Sequence, residues 1–153
     1  MFKLGKMTDY GTVVMTALAA APDALHSTQE LAQRTHLSQP TVAKLLKRLC
    51  KSGLVDSTRG VHGGYRLARP PSAVTVADIV GALEGPISLT ECSTDHGGCG
   101  IEGSCAARAN WRLINLAIRE ALQAVTLAQM AAPQREARLS FHPRTAAPAR
   151  TTS

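Results

Sequence analysis

Aromatic residues are scarce in this 153-residue chain: one Trp, two Tyr and two Phe make 3% of it. A core must therefore be assembled from Leu, Val, Ile and Ala, and so rich a supply of alanine favours helix over sheet. No apolar run approaches the length needed to span a bilayer, and the opening MFKLGKMTDYGT has no hydrophobic stretch of the kind a secretion signal needs. These absences point to a cytoplasmic protein with reduced thiols and no membrane partner, and so argue against disulfides. Nor is there a GxxxxGK[ST] or GxGxxG phosphate loop or a convincing nucleophile and base pair, which argues against an enzyme.

Acidic residues are also few where basic ones collect. Residues 1–70 carry 10 Lys/Arg against 4 Asp/Glu, residues 71–132 carry 3 against 6, and residues 133–153 carry 4 against 1, for a net charge of +6. A basic first half beside a mildly acidic second half suggests that the first meets a polyanion while the second does another job.

Helical periodicity begins at Thr8–Ala21, with Val13, Val14, Ala17, Leu18 and Ala21 expected on the buried face. A short helix follows, with Ser27 or Thr28 as cap and Glu30 closing a capping box to Ser27. Ser38 then caps a longer helix over residues 39–52, with Pro40 inside its first turn. Val42, Leu45, Leu46 and Leu49 fall at i, i+3, i+4 and i+7, leaving Thr41, Lys44, Lys47, Arg48 and Lys51 on the other side. Short helix, tight turn and basic helix make a helix-turn-helix, in which the start of the second helix meets base edges and its lysines meet phosphates.

Two short strands, 54–57 and 65–68, flank Thr58-Arg59-Gly60-Val61-His62-Gly63-Gly64 and form a β-hairpin wing. Its glycines allow backbone and Arg59 to approach a phosphate or minor groove, with His62 and Tyr65 adding hydrogen bonds. The candidate DNA contacts are Thr28, Ser38, Gln39, Pro40, Thr41, Lys44, Lys47, Arg59, His62 and Tyr65. Cys50, between Leu49 and Lys51, reads as a small, partly buried hydrophobe.

The other three cysteines stand together. Cys92, Cys99 and Cys105 lie within fourteen residues, in a loop that also contains Gly97, Gly98, Gly100 and Gly103. That glycine density suits neither helix nor strand, and it lets a chain re-aim three sulfurs at one centre. Structural zinc usually shows paired C-x₂₋₄-C knuckles, which are missing here, so zinc stays open but is not favoured over an iron–sulfur cluster. Incidental thiols are the remaining reading.

Before the loop, Thr75 and Asp78 read as a capping box for a helix that Gly85-Pro86 ends. After it, residues 106–130 read as one uninterrupted helix carrying Trp111, Ile114, Ile118, Ala121, Val125 and Ala128 as a two-stranded seam. Residues 131–153 read as a disordered basic tail.

The segments LGKMTDYG, LSQPTVAKLLKRLCKSGLV and RGVHGGYRLAR, followed by C-x₆-C-x₅-C and Asn110-Trp111, stand in an order that resembles the winged-helix transcription regulators of the IscR and SUF-system type. The resemblance covers about residues 1–130. It implies a mainly α fold with a small β-hairpin wing: a winged helix-turn-helix over 1–70, then a linker helix, cysteine loop and long dimerisation helix over 71–130. It further implies a homodimer on a palindromic DNA operator and a [2Fe–2S] cluster held by Cys92, Cys99 and Cys105. In the IscR branch a histidine three residues after the last cysteine is the fourth ligand. Here that position is Arg108, a cation that cannot ligate iron. His96 inside the loop is a chemically suitable replacement, as imidazole suits iron, while Glu91, Asp95, Glu102 or a group from the partner stay open.

Overall fold

The computed structural model describes residues 4–90 and 107–132, without the side chain of Arg108. The loop with Cys92, His96, Cys99 and Cys105, and the tail from residue 133, lie outside the described residues.

The first helix, α1, spans Lys6–Ala19 and buries Thr8, Gly11, Val14, Met15 and Leu18. Val13, expected on the buried face, is instead 42% exposed. The inward face is set by Gly11, where a Cβ would overlap Leu83 Cδ1. Leucine from a neighbouring helix seats in the space a side chain would fill, and that close approach rotates α1 away from the apolar stripe read along it. Helix α2, Thr28–Thr35, is capped by Ser27, whose hydroxyl accepts from Glu30 N. Glu30 does not turn back to its cap as the capping box required; its carboxylate accepts from His26 Nδ1 at 2.7 Å.

Helix α3, Gln39–Lys51, starts on Ser38 with proline in its first turn and buries Val42, Leu45, Leu46 and Leu49, as the periodicity requires. The chain reverses at Gly53, with φ 75°, so that Leu54 N donates to the Leu49 carbonyl at 3.0 Å. This use of Leu54 as a helix stop is why the hairpin begins one residue later than expected. Strands β1, Val55–Thr58, and β2, Gly64–Leu67, pair antiparallel from Val55 opposite Leu67 to Thr58 opposite Gly64. The wing is also tied to the approach to α2, because His26 and Tyr65 exchange two backbone hydrogen bonds of 2.9 Å each.

A 3₁₀ turn at Pro71–Ala73 leads into α4, Val76–Glu84, whose Thr75 and Asp78 form both halves of a capping box. Gly85, at φ 93°, ends it. Helix α5 spans Arg108–Gln123 and α6 spans Leu127–Ala131. The single helix expected over 106–130 is therefore broken at residues 124–126. The cause is tertiary: Val76 N donates to the Val125 carbonyl at 2.9 Å and Leu127 N to the Val74 carbonyl at 2.8 Å. Thr126 then caps α6 with a box completed by Gln129, and Leu127 is fully buried. Helix continuity is given up for two backbone bonds, a capping box and a leucine in the core.

One hydrophobic core gathers Val14, Met15 and Leu18, Leu31, the four apolar residues of α3, Leu54, Val55 and Leu67 from the wing base, and Val74, Ile79, Leu83 and Leu127. Helix α1 contacts α2, α3, α4 and α6, so α3 and the wing are presented from a rigid platform. Among the described residues no helix is long and apolar enough to cross a membrane.

Candidate DNA interface and the anchor of the cysteine loop

Four fully buried residues, Val42, Leu45, Leu46 and Leu49, decide which side of α3 faces out. Gln39, Pro40, Lys44, Lys47 and Lys51 are all exposed. Ser38 and Thr41 are partly committed to the helix start: Ser38 Oγ accepts from Thr41 N at 3.4 Å and shares a 2.7 Å hydrogen bond with Thr41 Oγ1. Thr28 is half-buried at the first position of α2. Between residues 31 and 70 the chain carries eight Lys/Arg and one acid, Asp56. A convex helix with this charge, standing out of a packed core, has the shape and sign to enter a major groove.

On the wing, Arg59 and His62 are exposed, and Gly60, at φ 112°, makes the tight turn between the strands. Tyr65 is placed differently from its companions. Its ring packs half-buried against the core, so any reach to DNA rests on its hydroxyl. His26 is 4% exposed beneath it, with Nε2 donating to the Ala21 carbonyl at 3.1 Å and Nδ1 facing Glu30. The hydrogen bond from His26 holds the Glu30 carboxyl below the ordinary glutamate range, helped by the charges of His26 and Arg34. This cluster braces the base of the wing from inside.

Lys44→Ala and Arg59→Ala are each expected to weaken operator binding by about 1–3 kcal/mol if the side chain reads a base, and by less, with a shallower salt dependence, if it meets phosphate. Unchanged affinity in both would place the DNA elsewhere.

The second candidate site is approached by residues 86–90. Asn115 of α5, only 6% exposed, accepts from Leu89 N through Oδ1 at 3.2 Å and donates to the Ile87 carbonyl through Nδ2 at 3.3 Å. Ser88 Oγ donates to the Thr90 carbonyl at 2.7 Å. One buried amide therefore clamps the segment leading into the cysteine loop against the helix leading out of it. Sequence reading passed over Asn115, although a lone polar residue in line with Trp111, Ile118 and Leu122 was a signal. It also passed over Leu113 and Leu116 of α5, 66% and 52% exposed. Trp111 and Ile114 are exposed as well, so α5 has apolar surface that no other described residue covers.

Cys50 has no part in this arrangement. It packs half-buried against the core, and burial, together with the charge of Asp56, pushes its thiol up against the opposing effect of a hydrogen bond with Ser57.

Comparison with known proteins agrees with this architecture. The family model described as Rrf2, iron-dependent transcriptional regulator, matches residues 4–133. The HTH-type transcriptional regulator CymR of Bacillus subtilis (strain 168) is 36% identical over 133 residues, covering 84% of this chain and 89% of CymR. The solved structure of CymR, the global cysteine regulator of B. subtilis, superposes with a TM-score of 0.68 at 35% identity over 86% of this chain and 97% of that one. The structure of T. potens IscR gives a TM-score of 0.65 at 32% identity over 84% and 85% of the two chains. The mainly helical fold with its two-stranded wing, the resemblance read from the motifs and the family match agree: the chain belongs to the Rrf2 family of transcriptional regulators.

Proposed function

We propose that the protein is a homodimeric DNA-binding regulator whose affinity for a palindromic operator is gated by a [2Fe–2S] cluster at Cys92, Cys99 and Cys105, and that it controls genes of iron–sulfur cluster assembly. The observation that carries this reading is the gathering of three of four cysteines in one glycine-rich loop joined directly to α5. The donor set fits the group, since thiolates are soft ligands suited to iron–sulfur clusters. Residues 1–70 then present α3 and the wing to DNA, residues 71–130 sense and dimerise, and the exposed apolar side of α5 receives the same helix of a second copy.

When bound, the cluster supplies an occupancy that follows cellular supply. The chain's own residues do the rest. Cys92, Cys99 and Cys105 bind as thiolates, and Asn115 orients the segment that delivers the first of them. Arg108 withholds the family's fourth ligand, leaving that position to His96 or a weaker donor, and a site so constituted releases its cluster readily.

A second reading is favoured by the same Arg108 and by the similarity to CymR, a cysteine regulator: a winged-helix regulator in which the loop binds zinc or senses redox state through its thiols. Absorption and Mössbauer spectra of anaerobically purified protein separate the two. Charge-transfer bands and a [2Fe–2S] quadrupole doublet are expected; stoichiometric zinc, or free thiols alone, would favour the second.

A further inference from the structure

Three ties converge on the last turn of α4, and none of them belongs to the DNA surface or to the cysteine loop. The Leu83 side chain occupies the notch at Gly11 of α1. The Leu83 carbonyl, in the last turn of its helix where carbonyls lack intrahelical partners, takes a hydrogen bond from Arg48 Nη1 of α3 at 2.9 Å. Glu84 Oε1 accepts from Gly5 N at 2.7 Å and from Thr8 Oγ1 at 2.5 Å, both at the start of α1. The recognition helix and the central helix are thus hung from the same two residues. Immediately afterwards Gly85, in a conformation that L side chains rarely adopt, turns the chain toward the Asn115 clamp at Ile87 and Leu89 and on to the loop.

We propose that this C-terminal end of α4 is the joint through which the state of the cysteine loop reaches the recognition helix, with Glu84 and Arg48 as its positioning residues. The inference rests on the gating reading above and adds its route. Only residues 85–90 separate Glu84 from the loop, and the Asn115 clamp ties two of them, Ile87 and Leu89, to α5. A change in the loop's path therefore has little slack to be absorbed in before it reaches Glu84. The bonds at the joint are exposed or half-buried, and each is worth about two- to tenfold in an equilibrium constant, strong enough to bias two arrangements and weak enough to exchange. Arg48, although on a basic helix, commits its Nη1 to this contact.

The test compares apo and cluster-loaded full-length protein on a duplex selected from a random library for tight binding, with cluster content read by absorption. For the wild type the two affinities should differ by about 5- to 150-fold. Glu84→Ala and Arg48→Met should each bring that ratio to within about twofold while cluster content stays at the wild-type level. Glu84→Gln keeps an acceptor oxygen and Arg48→Lys keeps a donor, so both should restore most of the ratio, a rescue that general loosening of the fold would not give. An unchanged ratio in Glu84→Ala and Arg48→Met overturns the joint. So does an Arg48→Met protein that loses affinity equally in both forms with a shallower salt dependence, because Arg48 would then be a phosphate contact. Equal affinities in the wild type itself would sink the gating reading and the joint with it, and are distinguishable because no variant is involved.

Discussion

Replacing Cys92, Cys99 or Cys105 by alanine is expected to abolish a stable cluster, whereas Cys50→Ala should leave cluster content unchanged. In the proposed site each loop cysteine would supply one thiolate, and Arg108 stands where the resemblance implies a histidine as fourth ligand. Removing one leaves two thiolates and a weak donor, too few to hold a [2Fe–2S] unit against competing thiols. Cys50 differs in kind, because it lies on α3 packed half-buried against the core, where burial pushes its thiol up. The loop variants should keep the winged helix folded, because Val14, Leu18, Leu45 and Leu49 of α1 and α3 pack into one core with Leu31, Ile79 and Leu83 of neighbouring helices. Iron and sulfide content beside a circular dichroism melt would check both halves. Full cluster content in all three loop variants would sink the assignment.

Leu45→Ala should have the largest effect on stability. Leu45 is fully buried on α3 and lies beside Gly11, where a Cβ on α1 would stand 3.5 Å from Leu45 Cδ2. Truncation there opens a cavity at the contact between α3 and the central helix. The surrounding backbone is tied by hydrogen bonds and cannot readily collapse into it, so the loss is expected at about 2–5 kcal/mol. Against a total of about 5–15 kcal/mol for a domain, that is a substantial fraction. The midpoint of thermal unfolding should fall by several degrees to about 20 °C. Val61→Ala, at a wing position 98% exposed, should change stability by no more than about 0.5 kcal/mol. Similar midpoints for the two variants would mean that the core is wrongly drawn.

The parts of the fold legible in the sequence are those decided by neighbours a few residues apart. The apolar spacing of Val42, Leu45, Leu46 and Leu49, the cap at Ser38 and the box at Thr75 and Asp78 all involve separations within two turns, and all stand as read. What escaped was decided at long range. Glu30 had a local partner in the Ser27 backbone and takes His26 instead, because Tyr65 holds His26 in place from the wing. The helix after the loop is cut at residues 124–126 by the Val74–Val76 segment about fifty residues earlier. Val13 lost its buried place to Met15 because Leu83 needs the notch at Gly11.

The functional residues divide in the same way. For the proposed DNA contacts Lys44, Lys47, Arg59 and His62, the outward placement was legible from charge and turn chemistry. Arg48 reads as one more basic residue until its acceptor, 35 positions away, is seen. Asn115 reads as a flaw in an apolar stripe until its two partners, 26 and 28 positions away, explain it. The ligand set of the loop was read from donor chemistry and resemblance alone, since Cys92, His96, Cys99 and Cys105 lie outside the described residues.

Gating is measured most directly by titrating apo and cluster-loaded protein against the same operator duplex at fixed salt. The recognition helices of a dimer must meet half-sites one helical turn apart, about 34 Å, so a change in their spacing that leaves each winged helix intact should still alter affinity. A difference of about 1–3 kcal/mol between the two forms is expected; identical affinities on every duplex tested would contradict a regulatory role for the cluster.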